Sequence, residues 1–301
     1  MDMLTIWELK KERIEDVLKT SERLKREHKK GVQSKALQNK TLAMLFEKAS
    51  TRTRVSFEAA MTQLGGHAIY IDLATSQISR GETMDDTGKV LGRYVDGIMA
   101  RLYKHSDMEE LAKGSAVPVI NGLDDLEHPC QALGDLLTMK EWGKFGKGKK
   151  LAFVGDCGFN VCNSVMLACS KVGMDVSLVC PKGYPPNGKY VKEAQRYADV
   201  TVEHDPLRGV DGADVIYTDV WVSMGQEKEK EERLKAFGPF QVNKKMVGKA
   251  NKGCIAMHCL PAHRGFEITS DVLDGPQSAV WDEAENRLHI QKGILAYLMK
   301  G

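Results

Sequence analysis

The constraint on this chain is an alternation, run twice, of strand-length apolar stretches with segments of helical period. Residues 41–46 (TLAMLF) form a short apolar run, and 55–64 carries apolar residues at 55, 59, 60, 61 and 64 before stopping at Gly65-Gly66. Residues 67–73 read as a strand, 74–82 as a polar loop, 84–95 as a helix, and 97–102 and 117–120 as strands. A helix opens at Pro129, with Leu133, Leu136 and Leu137 as its buried stripe. After the Gly/Lys stretch 143–150 the pattern restarts: strand 151–154, turn 155–160, helix 164–172, strands 176–180, 215–218 and 254–257, and a closing helix 283–299. Strands separated by helices pair in parallel. The expectation is an α/β fold: two doubly wound parallel-sheet domains joined by interdomain helices. Their bounds are 1–142 and 143–285, with a C-terminal helix 286–301 packing back on the first.

Composition serves mainly to exclude. Forty-three basic against 41 acidic residues leave a net charge of +2, too balanced to indicate a nucleic-acid or membrane partner. No apolar run approaches the ~20 residues of a membrane span, and acids at Asp2, Glu8 and Glu12 rule out a signal-peptide core at the N-terminus. The seven cysteines are odd in number and contain no C-x-x-C pair, which argues against a disulfide scaffold or zinc site and for a reducing cytoplasm. Near the start, Thr5-x-x-Glu8 predicts a capping box opening a helix. The charge run 25–30 reads as a solvated helix end.

The segment Ser50-Thr51-Arg52-Thr53-Arg54 falls where the strand period gives way to the helical one. Hydroxyls suit a helix start as caps. Arginines do not, because the macrodipole is positive there. An anion at the turn, held by backbone N–H groups, hydroxyls and guanidinium forks, resolves that conflict; a serine cap beside two solvated arginines is the plainer alternative. His128 and Gln131 lie three apart at a helix start and can face one side. Two further strand ends run into Asp219-Val220-Trp221-Val222-Ser223-Met224-Gly225 and His258-Cys259-Leu260-Pro261. Ligands of open α/β sheets bind beyond such carboxyl ends. Taken singly, Asp219 is an ordinary turn residue, Ser223 a cap and Cys259 a small buried apolar group. The glycines of 155–158 follow a strand, but the third glycine of a dinucleotide fingerprint is missing and the next strand ends in Cys180-Pro181 without an acid, so NAD binding is not expected.

Residues 46–54 (FEKASTRTR) resemble the carbamoyl-phosphate loop of the aspartate and ornithine carbamoyltransferases, and the resemblance extends over essentially the whole chain. It implies carbamoyl transfer from carbamoyl phosphate to an amine, with no metal and no cofactor. It casts Ser50, Arg52 and Thr53 as phosphate ligands, Thr51 as a backbone N–H donor and Arg54 as structural. Arg101 bridges phosphate and carbonyl, and His128 and Gln131 of H-P-x-Q bind the carbonyl and the carbamoyl nitrogen. Arg287 also reaches carbamoyl phosphate, and Gln77 lies in a loop that reaches a neighbouring subunit's site.

Asp219-x-x-x-Ser223-Met224-Gly225 resembles the ornithine motif, with Asp219 and Ser223 for the α-ammonium and the Met224 N–H, with Asn160, for the carboxylate. Cys157 and Phe159 stand in a turn that often carries a second asparagine in the family. H-C-L-P puts Cys259 beside the reacting amine and Leu260 at the carbamoyl group, where the aspartate branch has H-P-L-P-R. The resemblance therefore implies L-ornithine as acceptor and L-citrulline as product, and assembly as a homotrimer or multiples of it. Aspartate, putrescine or an acetylated ornithine are the alternative acceptors, and a non-catalytic protein on this fold would be marked by a broken STRTR or H-P-x-Q.

Overall fold

A computed structural model describes residues 1–222 and 227–300. The chain forms two compact units, one of residues 1–137 with 286–301 and one of residues 138–285. In chain order the first elements are α1 (Lys11–Lys29), β1 (Thr41–Phe46), α2 (Thr51–Gln63), β2 (His67–Asp72), α3 (Met84–Leu91), β3 (Gly97–Arg101), α4 (His105–Gly114), β4 (Val119–Leu123) and α5 (Pro129–Glu141). There follow β5 (Lys150–Val154), α6 (Asn160–Lys171), β6 (Asp175–Val179), α7 (Gly188–Ala194), β7 (Val200–Glu203), α8 (Pro206–Gly209) and β8 (Val215–Thr218). The chain closes with α9 (Lys230–Phe237), α10 (Lys244–Lys249), β9 (Ile255–His258), α11 (Ser270–Leu273) and α12 (Val280–Leu298). Among the described residues, no helix is long and apolar enough to cross a membrane.

The first unit holds a four-stranded sheet in the order β2-β1-β3-β4, and the pairings are parallel throughout. The second holds a five-stranded sheet, β7-β6-β5-β8-β9, also parallel. Strands buried on both faces carry near-continuous apolar runs, as GIMAR and VIYT do here. In each sheet the winding reverses beside its first strand: β2 and β3 flank β1, and β6 and β8 flank β5. The crevices that bind ligands in such sheets open at these reversals. Here they lie beyond Phe46 and its register partner Arg101, and beyond Val154 and its partner Thr218.

Three local expectations change. Thr5–Glu8 is a separate turn rather than a helix start, and α1 begins only at Lys11. The cause is distant: the Glu127 carboxylate accepts the Ile6 and Trp7 N–H groups at 2.6 and 3.2 Å, fixing the turn apart from the helix. Lys25, placed by its neighbours in a charge run, is 6% exposed and donates to Asn286 Oδ1 at 2.7 Å. The segment 74–82 is not featureless: two short 3-10 turns, Leu73–Thr75 and Gln77–Arg80, are closed by the Asp72 and Ser76 side chains.

Contacts with α1 and α2 help dock α12 within the first unit. Lys25 meets Asn286, Lys292 donates to Gln63 Oε1 at 3.0 Å, and Gly293 lies against α1 at Ser21. A Cβ at 293 would stand 1.9 Å from Ser21 Oγ and 3.0 Å from the Val17 carbonyl. The Ser21 hydroxyl is itself held by that carbonyl at 2.7 Å. Gly293→Ala should therefore lower the thermal midpoint, with overpacking of about 1–3 kcal/mol outweighing the helix propensity gained. The double variant with Ser21→Gly should recover most of the loss. Calorimetry of the three proteins checks this, and an unchanged midpoint in Gly293→Ala would contradict it.

Candidate active site

In the first unit the site grows from the start of α2. Ser50 is its N-cap, extended at φ −155° and ψ 105°, and its Oγ accepts the Thr53 N–H at 3.3 Å. The first turn of α2 carries no acid, so the positive end of the helix stays uncompensated by its own sequence. Thr53 is buried, and its Oγ1 accepts from Ser50 Oγ at 3.1 Å and from Arg287 Nη2 at 3.3 Å. Arg287 Nη1 donates to Gln131 Oε1 at 2.5 Å, and Gln131 Nε2 donates to Asp135 Oδ1 at 2.7 Å. A continuous chain of hydrogen bonds thus runs from the cap of α2 through α12 to α5. Arg52 and Thr51 are exposed at the same helix start.

Arg101 ends β3 and is 8% exposed, and its carbonyl accepts the Glu47 N–H at 2.9 Å. His128, 4% exposed, precedes α5, and its carbonyl caps the Gln131 and Ala132 N–H groups. Burial, with Arg287 and Arg101 nearby, holds the imidazole pKa well below its ordinary value. At neutral pH this ring is uncharged and can still offer one N–H to a carbonyl oxygen. The turn before it is fixed by Asp124, whose Oδ1 accepts the Leu126 and Glu127 N–H groups at 2.9 and 2.8 Å. Its Oδ2 meets His105 Nδ1 at 2.6 Å, and that hydrogen bond raises the His105 pKa. Lys48 adds a further cation, its pKa lowered by burial and by Arg101. Arg54 is turned to structure, donating to Glu58 at 2.9 Å and stacking 3.9 Å from the Tyr70 ring. Gln77 is exposed.

The second unit presents its groups at the ends of β5, β8 and β9. Gly155, at φ +132°, leaves β5 with backbone that a side chain rarely adopts, and a Cβ added there would stand 3.6 Å from Thr218 Oγ1. Asn160 is buried in the first turn of α6. Asp219 Oδ1 accepts from Cys259 Sγ at 3.0 Å and from the Val220 N–H at 2.7 Å. Desolvation raises the Asp219 pKa, while His258, Cys259 and the Val220 N–H oppose that rise. Cys259 is the one cysteine among the described residues that is not buried.

His258 fixes the loop that carries Cys259. Its Nδ1 accepts the Leu260 N–H at 2.9 Å, which assigns the proton to Nε2 for donation to Glu267 Oε1 at 3.1 Å. Its own N–H donates to Glu283 Oε2 at 2.8 Å. Asp219, His258 and Cys259 have ligand atoms within 4.8 Å of one another, a spacing open to a metal ion. Both imidazole nitrogens are committed, however, so only a thiol and a carboxylate could turn to a cation. Arg233 ties the crevice together: it pairs with Asp156, donates to the Trp221 carbonyl at 2.6 Å, and stands 4.8 Å from the Tyr184 ring. Ser223 and Met224 lie outside the described residues.

Sequence reasoning missed Asp135, Glu267, Glu283 and Arg233. Only Asp135 had a local signal, because Gln131 and Asp135 are four apart on one helix.

Two family models match the chain. The carbamoyl-P binding domain of aspartate/ornithine carbamoyltransferase covers residues 1–141, and the Asp/Orn binding domain of the same family covers 147–298. The ornithine carbamoyltransferase of Pyrococcus horikoshii is 54% identical over 307 residues, spanning 100% of this chain and 96% of that protein. That of Methanosarcina acetivorans is 50% identical, with 99% of each chain covered. Among solved structures, ornithine carbamoyltransferase from Pyrococcus furiosus superposes with a TM-score of 0.94 at 52% identity, covering 100% of this chain and 97% of that one. The Thermus thermophilus enzyme of the same name gives 0.91 at 41% identity, covering 99% of each.

The shifts at the first crevice are directly testable. By nitrogen-15 NMR of labelled histidines, His128 should remain neutral at pH 6, where His105 is already protonated. A His128 midpoint near 6.5 would contradict the burial and cation effects assigned to it.

Proposed function

The chain belongs to the aspartate/ornithine carbamoyltransferase family, and from that premise we propose that it transfers the carbamoyl group of carbamoyl phosphate to the side-chain amine of L-ornithine, giving L-citrulline and phosphate. The observation that carries this reading is the hydrogen-bonded chain of Ser50, Thr53, Arg287 and Gln131 at a helix start without acids. Such a start suits a phosphate. In this reading Ser50, Thr53, Arg52 and the Thr51 N–H take the phosphate oxygens. Arg101 and Arg287 neutralise charge as it moves onto the leaving phosphate, and the neutral His128 donates to the carbonyl oxygen as it becomes an oxyanion. Most of the barrier reduction then comes from pre-set donors and positioning, with no covalent intermediate.

For the acceptor, Asp219 and Ser223 receive the α-ammonium, and Asn160 with the Met224 N–H receives the carboxylate. The separation between these groups and Cys259 measures the acceptor's length. An aspartate acceptor would need cations for its second carboxylate, whereas this crevice presents an acid and a thiol. The free amine attacks the carbonyl carbon, the tetrahedral adduct expels phosphate, and the extra proton leaves with phosphate or solvent. We further read the protein as a homotrimer working in the cytoplasm, with the Gln77 loop completing a neighbour's site; seven free thiols agree with a reducing compartment.

Carbamoylation should favour L-ornithine over L-lysine, L-aspartate and putrescine. An amine of pKa about 10.4 must lose a proton to attack, so the rate should rise from pH 6 toward roughly pH 8–9. Asp219→Asn should raise the ornithine KM by about 10–100-fold, the worth of one charge-assisted contact, and spare carbamoyl phosphate binding. Faster carbamoylation of aspartate, or an unchanged ornithine KM, would overturn the reading. Light scattering at micromolar concentration should give three times the 33.4 kDa chain mass, or a multiple of it. A fully active monomer would refute the shared site.

A further inference from the structure

We propose that Glu283 is a positioning residue of the second crevice: its carboxylate fastens the ends of β8 and β9 together, and so holds Asp219 and Cys259 opposite one another. This rests on the reading above, in which both groups meet the acceptor.

Glu283 lies in the first turn of α12, where the helix dipole favours an acid, and is 1% exposed. Its two oxygens serve two neighbouring strands. Oε1 accepts from the Tyr217 hydroxyl of β8 at 3.2 Å, and Oε2 accepts the His258 N–H of β9 at 2.8 Å. Tyr217 is buried and stacked on Phe153 of β5, with ring centroids 5.4 Å apart, so its hydroxyl is a fixed anchor. β9 is the edge of its sheet, and its outer N–H groups need partners from outside the sheet. The Ala256 N–H goes to the Gln277 carbonyl at 2.9 Å, and that of His258, two residues on, goes to the Glu283 carboxylate. Glu283 thus completes the edge at the point where the strand ends.

The place of that contact gives it a chemical consequence. Thr218 and His258 are the last paired residues of β8 and β9, and Asp219 and Cys259 come immediately after them. The 3.0 Å contact of the thiol with the Asp219 carboxylate therefore depends on how firmly the last pair is held. The His258 imidazole secures the loop that follows, through Leu260 and Glu267, whereas Glu283 grips the main chain at the pair itself. Removing the carboxylate would take away the acceptor that a buried N–H and a buried hydroxyl share, and the strand end would shift toward other partners. An acceptor held by Asp219 would then present its amine out of line, and a misplacement of about 1 Å costs up to roughly a hundredfold in rate. Glu283 need not touch the acceptor for this; it acts through the two strand ends.

The test uses the full-length protein and the variants Glu283→Ala, Glu283→Gln and Tyr217→Phe. Glutamine keeps an oxygen for the His258 N–H and can turn its NH2 to the tyrosine oxygen. Phenylalanine keeps the stacking, removes one anchor and guards against a misfolded alanine variant. Glu283→Ala should raise the ornithine KM by about tenfold and lower kcat by about 10–100-fold, with carbamoyl phosphate affinity by calorimetry within about twofold. Glu283→Gln should recover most of the loss, and Tyr217→Phe should fall between. A second readout follows the geometry without turnover. Cys259 is the one cysteine among the described residues that is not buried, so iodoacetamide should modify it first. A thiol donating to a carboxylate is held in its unreactive protonated form, so alkylation should be at least about threefold faster in Glu283→Ala and near the wild-type rate in Glu283→Gln. Unchanged ornithine kinetics in Glu283→Ala, an unchanged alkylation rate, or equal losses for both substrates would overturn the proposal while leaving the proposed function standing. A wild type that forms no citrulline would overturn the proposed function, and the alkylation rates would still decide the positioning.

Discussion

The buried guanidinium of Arg287 is the contact on which the first crevice depends. It joins Thr53, 234 positions earlier, to Gln131, 156 positions earlier. One side chain near the C-terminus therefore completes a site begun at the cap of α2. This requires α12 to dock with little tolerance, and the fold supplies that through Lys25 on Asn286, Lys292 on Gln63, and the close approach of Gly293 to Ser21. Burial, assisted by the same guanidinium and by Arg101, keeps His128 uncharged. Cations, a neutral imidazole and an oriented amide thus come together when one helix is seated correctly.

The second crevice uses a different device. Its groups stand at the ends of β5, β8 and β9, and a network of buried charges holds the connecting loops. Arg233 fastens Asp156 to the Trp221 carbonyl, and His258 is clamped by Glu267, Glu283 and the Leu260 N–H. Asp219 and Cys259 then face each other at 3.0 Å, with the carboxylate partly desolvated. Both crevices fall where the strand order of a parallel sheet reverses, so topology locates the chemistry before any side chain is considered.

Much of this was legible in the sequence because its determinants are local. The run TLAMLF and the segment 215–218 are strands with the bounds their apolar pattern suggested, and Ser50 caps α2 as its hydroxyl and position implied. The two parallel sheets followed from alternation alone. What escaped was set by distant partners. Thr5–Glu8 has every mark of a capping box, yet Glu127 takes its N–H groups. Lys25 sits among charges that point to solvent, yet Asn286 buries it. Glu267 reaches His258 across a nine-residue separation with no period to betray it. The strand β7, alternating and half exposed, carried too short an apolar signal to be separated from the loops around it.

The central claim is that the start of α2 is built to hold the phosphate of carbamoyl phosphate, and Arg52, exposed at that helix start, tests it most directly. The measurement is kcat/KM for carbamoyl phosphate in Arg52→Ala, taken with circular dichroism and thermal unfolding of the same sample. Loss of one charge-assisted donor to a transition state is worth about 3–4 kcal/mol, so turnover should fall by roughly 10²–10³ while the fold and melting are preserved. A folded Arg52→Ala protein that turns over carbamoyl phosphate at near wild-type efficiency would contradict the account.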